Sequence, residues 1–117
     1  MTTTAARATT TTTRPKPRPP ELAKAGQGAR VVAVFVATGP NLGSPSFAPA
    51  KARLATLGYR GFSGGDTACS QGAQEALPKL QAYSLSLPFA TQADAARFAS
   101  LYGPVLGTAR ITVFCAD

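Results

Sequence analysis

Cys69 and Cys115 are the only thiols among the 117 residues, and there is no histidine. Without an imidazole the chain cannot assemble a Ser-His-Asp triad, a Cys-His pair or a histidine metal site. Two thiols without Cys-x-x-Cys spacing make a poor zinc ligand set, so no metal is expected. In an oxidising compartment the two would pair in the one way available. That disulfide would close a loop of about 47 residues, which the chain-entropy model values at roughly 4 kcal/mol. In a reducing compartment they would be two separate buried thiols.

The remaining reactive side chains are sparse. Asp66, Glu75 and Asp94 are too few and too well placed as helix caps or polar-face residues to suggest a glycosidase pair. Ser63 and Ser70 have no histidine and no suitably spaced lysine to activate them. Gly64-Gly65-Asp66 lacks the longer glycine pattern and the lysine of a phosphate loop, and Asp66 would repel an anion. A tight turn with a helix cap is the simpler reading. The expectation is a protein that is not an enzyme and needs no cofactor.

Charge is unevenly divided. Lys and Arg number 12 against 5 Asp and Glu, a net charge of +7. Residues 1–30 carry six basic residues against Glu21 alone, a net +5; residues 31–117 carry six against four, a net +2. Residues 1–29 are rich in Thr, Pro and Arg and lack Val, Ile and aromatics. Such a stretch buries too little apolar area to offset its ordering entropy, so it reads as a disordered tether. Pro15, Pro17, Pro19 and Pro20 favour an extended spacer, and Glu21 to Ala25 could add one helical turn. No apolar run is long enough to span a bilayer. Membrane attachment would therefore need an anchor upstream of Met1.

Residues 30–117 read as one α+β domain. Arg30 to Ala37 is short, rich in β-branched residues and free of breakers, a central strand. Ser46 is placed to cap a helix presenting Phe47, Ala50, Leu54 and Leu57, stopped by Gly58. Tyr59 to Ser63 reads as a short extended segment, followed by an extra helix over Asp66–Leu77. Tyr83 to Leu87 alternates as a strand, with Ser84 and Ser86 opposite Tyr83, Leu85 and Leu87. Thr91-x-x-Asp94 is a capping box for a helix presenting Ala95, Phe98, Leu101 and Tyr102. Val105 to Cys115 closes the domain as a strand, with Arg110, Thr112 and Phe114 opposite Ile111, Val113 and Cys115. Apart from the inserted helix the order is βαββαβ, a ferredoxin-like antiparallel sheet with two helices on one face. The other face would be open.

The stretch Tyr83-Ser-Leu-Ser-Leu-Pro-Phe-Ala-Thr-Gln-Ala-Asp-Ala-Ala-Arg-Phe98 resembles the sporulation-related repeat (SPOR) domain. Pro88 and Phe89 match its corner after an alternating strand, with Leu87 where the family has Gly. Leu57-Gly58-Tyr59 is similar to its helix-ending Leu-Gly-Tyr. The resemblance implies a cell-envelope module that binds peptidoglycan glycan through the open sheet face. That face would hold Ser84, Ser86, Arg110, Thr112 and Phe114 as ligand-binding residues. The hydroxyls suit sugar hydroxyls, Phe114 suits stacking on a ring and Arg110 suits a carboxylate. The leading expectation is thus a non-catalytic envelope or extracellular module on a tether, binding wall glycan or an envelope protein. Two alternatives stay open: a cytosolic protein whose basic arm binds nucleic acid, and a purely structural protein-interaction domain.

Overall fold

A computed structural model describes residues 19–62 and 64–115. The fold is α+β. Five antiparallel strands, β1 (Arg30–Gly39), β2 (Gly65–Asp66), β3 (Ser70–Gln71), β4 (Tyr83–Phe89) and β5 (Gly107–Val113), form one sheet in the order β2-β4-β1-β5-β3. The helices are α1 (Phe47–Thr56), α2 (Ala73–Ala76) and α3 (Gln92–Tyr102).

The sheet must curl. β2 and β3 lie at opposite edges, yet only the 3-10 turn Thr67–Cys69 separates them in the chain. Across a flat sheet the outer strands would stand four spacings apart, about 19 Å. The four residue steps from Asp66 to Ser70 reach at most about 14 Å. The sheet therefore bends toward the face that this strap crosses.

One face, the helix face, carries α1 and α3. Val32 and Val34 of β1 and Leu85, Leu87 and Phe89 of β4 pack there against Phe47, Ala50, Leu54, Ala95, Phe98 and Tyr102. Phe98 is the hub, its ring 5.2 Å from Phe89, 5.5 Å from Tyr59 and 5.6 Å from Tyr102. The Arg53 guanidinium lies 5.2 Å from the Tyr102 ring centre and links α1 to α3. Thr91 caps α3 as its sequence indicates, accepting from Asp94 N–H at 3.1 Å. Leu101, expected inside, is 45% exposed. It lies 300° around the helix from Phe98, on the flank rather than the buried stripe. Ser46 does not cap α1; its hydroxyl donates instead to the Thr38 carbonyl at 2.8 Å.

The opposite face is not open. Val31, Ala33 and Phe35 of β1 and Ala109 and Ile111 of β5 form a second core with Ala73 and Leu80. The strap and α2 cover it. The single helix expected over Asp66–Leu77 is replaced by β2, the 3-10 turn, β3 and the one-turn α2. Gly72, at φ +98°, breaks the helical path. Asp66 does act as a cap, accepting from Ala68 N–H at 2.9 Å. The strand expected at Tyr59 to Ser63 does not form among its described residues, and Ser63 lies outside them; the pairing falls at Gly65–Asp66.

Residues 1–18 lie outside the described residues, but 19–29 do not behave as a free tether, nor does Glu21 to Ala25 form a helical turn. Ala23 N–H donates to Pro88 O at 3.0 Å and Gly28 N–H to Val113 O at 2.7 Å, so the segment runs from β4 to β5. Its small side chains, Ala23 and Ala29, pack on the second core. At its start the Tyr59 hydroxyl donates to Pro20 O at 2.6 Å.

Burial chiefly, and Asp94 secondarily, raise the Tyr59 phenol above its ordinary value of 10.0, with Arg97 opposing. Burial does the same for Tyr102, with Arg53 opposing. A raised folded-state pKa favours the neutral form, so this stability is complete below pH 10.0 and lost as pH rises through the folded values. Denaturant midpoints should fall above that pH. Tyr59→Phe should cost about 0.5–1.5 kcal/mol at neutral pH and flatten the alkaline fall, leaving the Tyr102 share. An alkaline slope identical in Tyr59→Phe would refute the burial of the Tyr59 phenol, and an unchanged stability at neutral pH would refute the Tyr59–Pro20 latch.

Candidate functional site

Four of the five residues expected on one open face are divided between two, and the fifth, Phe114, lies past the end of β5. Cross-strand partners in an antiparallel pair share a face. Phe35 pairs with Ser86 and Thr38 with Ser84, whereas Arg30 pairs with Thr112 and Val32 with Arg110. Ser84 and Ser86 thus lie on the strap side, and Arg110 and Thr112 on the helix side. β4 and β5 each alternate as the sequence indicates, but in opposite sense: β4 turns its apolar row toward the helices and β5 toward the strap. β1 permits this because it is apolar on both faces.

Ser84 is a structural residue. A bulge between Phe35 and Ala37 adds one residue to β1 and turns Thr38 toward Ser84. Thr38 Oγ1 donates to Tyr83 O at 2.8 Å and accepts from Gln81 N–H at 2.8 Å. Thr67 Oγ1 donates to Gln81 O at 2.6 Å. Each hydroxyl has one proton, and those of Thr38 and Thr67 are committed. The 2.7 Å contact between Ser84 Oγ and Thr67 Oγ1 is therefore made by the Ser84 proton. Ser84, 7% exposed, and Thr67, 3% exposed, fasten the strap to β4. Neither hydroxyl proton is available to a ligand.

Ser86 is half-buried and has no hydrogen-bond partner among the described residues. It lies where two small hollows, about 200 and 230 Å³, adjoin beneath the disulfide. That disulfide joins Cys69 to Cys115 with Cα atoms 5.1 Å apart, as expected for an oxidising setting. It ties the last residue of the strap to the chain just past β5, and Phe114 N–H donates to Cys69 O at 2.9 Å beside it.

Arg110 and Thr112 belong to a different surface. The helices cover β1 and β4 but leave the helix side of β5 partly in solvent, with Arg110 exposed and Thr108 and Thr112 half-buried. Arg30 pairs with Thr112 on this side, Gln71 of β3 flanks Thr112, and Arg30 and Arg110 are diagonal neighbours on adjacent strands. Diagonal Cα atoms stand about 7–8 Å apart, within reach of long side chains. Both arginines are exposed, and among the described residues neither has an ion-pair partner. Phe114 follows one residue past β5 and is 46% exposed. Arg30 and Gln71 were missed from sequence because each stands at a strand end, where pairing register decides its neighbours. Among the described residues no group of three His, Cys, Asp or Glu could hold a metal ion, and no helix is long and apolar enough to cross a membrane.

Two outcomes test this assignment. Thr67→Val leaves Gln81 O and Ser84 without their partner and should cost about 1–3 kcal/mol. Ser84→Ala should cost about 1 kcal/mol, and the double variant should cost less than the sum, because the two share one bond. Additive costs in urea unfolding would exclude the shared bond. Reducing the disulfide should cost about 2–4 kcal/mol. Hydrogen exchange should then rise in residues 65–82 more than in β1 and β4; a uniform rise would show that the bond does not serve the strap.

No family model matches this chain, and comparison with curated proteins and with solved structures found no match.

Proposed function

We propose that this chain is a non-catalytic binding module of the cell envelope or extracellular space, and that it holds an anionic wall glycan on the row Arg30, Arg110 and Thr112, in which both arginines are exposed and Thr112 is half-buried. The observation that carries the reading is the pair of guanidiniums on adjacent strands without a counter-ion among the described residues. Two like charges on adjacent strands repel, and a bridging carboxylate would relieve that repulsion. Arginine presents a planar fork suited to that group. Gln71 and Thr112 offer amide and hydroxyl groups to sugar hydroxyls, and Phe114 offers a ring for stacking.

The Cys69–Cys115 disulfide supports the compartment, since such bonds persist where the surroundings are oxidising. Without β3 the strand order is β2-β4-β1-β5, which supports the ferredoxin-like comparison; Pro88 and Phe89, expected as a corner, instead continue β4 opposite Ala33 and Val32. The contact surface differs from the one that resemblance implies. The face opposite the helices is filled by the strap and residues 19–29, so the proposed contact moves to the β5 edge.

Sedimentation with amidase-stripped peptidoglycan tests the reading. The protein should co-sediment, and Arg30→Glu and Arg110→Glu should each weaken retention about tenfold, equivalent to about 1.4 kcal/mol. Ser86→Ala should not change it, and thermal melts should be unaltered by the exposed substitutions. Retention insensitive to both arginines but lost on deleting residues 1–18 would move the function to the basic arm. Salt-sensitive nucleic-acid binding by the same arm would then favour the nucleic-acid reading.

A further inference from the structure

One hollow among the described residues lies away from the arginine row. It has a volume of about 360 Å³, within the range of small-molecule sites. It opens between the α2–β4 connection, the end of β1 and the turn before β5. Leu77, Pro78, Leu80 and Leu106 supply most of its wall, with Ala76 at one side. Two polar residues reach it, Thr38 and Lys79. The Thr38 hydroxyl proton is already given to Tyr83 O. Lys79 is therefore the one side chain with free donors, and no acidic residue lines the hollow.

We propose that this hollow binds an alkyl monocarboxylate, with the chain against the leucines and the carboxylate at Lys79. The argument is one of charge and surface together. An apolar hollow alone would accept any greasy group. A single cation at an otherwise apolar wall, with no acid to neutralise it, selects an amphiphile with one negative charge. Leu106, 50% exposed, extends the apolar wall into solvent and gives the chain a surface to lie on. Gly107 shapes the interior: a Cβ there would come 2.5 Å from Leu77 Cδ2, so its absence lets Leu77 lie back against the strand. Gly107→Ala would push Leu77 out from the strand and narrow the space.

The test is titration of the full chain with decanoate below its micelle concentration, followed by amide chemical shifts, with decanol and decyltrimethylammonium as comparators. Decanoate should saturate, with shifts centred on residues 76–80 and 106. Decanol should bind about tenfold more weakly, the equivalent of one charge-assisted contact, and decyltrimethylammonium more weakly still. Lys79→Met should abolish the preference for decanoate over decanol while leaving both bound. Ala76→Phe, which fills the hollow from its rim, and Gly107→Ala should each weaken all three ligands. Lys79→Met is exposed and keeps the fold testable if either filling variant misfolds. Equal binding of the anionic and cationic amphiphiles, shifts centred elsewhere, or no saturation would overturn the proposal. Because the arginine row is not involved, Arg110→Glu should leave decanoate binding unchanged, so this proposal and the glycan reading fail separately.

Discussion

β1 is apolar on both faces, and a strand of that kind must be covered on both. Val32 and Val34 point one way, Val31, Ala33 and Phe35 the other, and all five are at most 5% exposed. Two amphipathic helices can cover only one side of a small sheet. The chain meets the second requirement with what is left: an irregular strap, a one-turn helix and the segment before β1. The curl of the sheet follows from the same need, because a strap of three residues between opposite edges shields only a bent surface.

The two cores are unequal. The helix-side core contains five buried aromatic rings, Phe47, Tyr59, Phe89, Phe98 and Tyr102, and Tyr59, Phe89 and Tyr102 surround Phe98. The strap-side core has one, Phe35, and otherwise relies on Val, Ala, Ile and Leu. Apolar burial scales with area, so the second core contributes less cohesion per residue. Its cover is accordingly fastened by other means. The disulfide and β3 fix the β5 end of the strap, and the Ser84–Thr67 and Thr67–Gln81 hydrogen bonds fix its β4 end. Those polar bonds are directional, so they also set the register of the strap over the sheet, which small apolar side chains alone would leave loose.

The elements that read correctly from sequence are those whose signal is local. The alternation of β4, the capping box of α3 and the stripe of α1 need only neighbours a few residues away. Asp66 as a cap and the pairing of the two cysteines were legible for similar reasons, one from turn chemistry and one from there being only two thiols. The strap was not legible. Cys69, Ala73, Ala76 and Leu77 fall at helical spacing, but the pairings of Gly65–Asp66 with β4 and Ser70–Gln71 with β5 outweigh a short helix. The site failed for one identifiable reason. Placing Ser84 and Arg110 on one face requires β4 and β5 to bury the same side, and they bury opposite ones. The signal against it was present in Val31–Ala37, since an unbroken apolar strand belongs in a sheet with no open face.

Covering both faces also constrains where any partner can touch. A sheet with one free face offers a broad platform, and recognition can then be spread over several strands. Here the platform is filled from within the chain, and Ser84 is part of the filling. What remains is the margin: the helix side of β5, where the helices stop short, and the seam where the strap returns into β4 beside the β5 turn. These two margins differ in character. The first is polar, cationic and extended along a strand, which suits a long anionic chain. The second is apolar and concave with one lysine, which suits a compact amphiphile. Both are rigid for the same reason, because each is bordered by a strand locked to β1, and a binding surface held by the central strand loses little freedom when it is occupied.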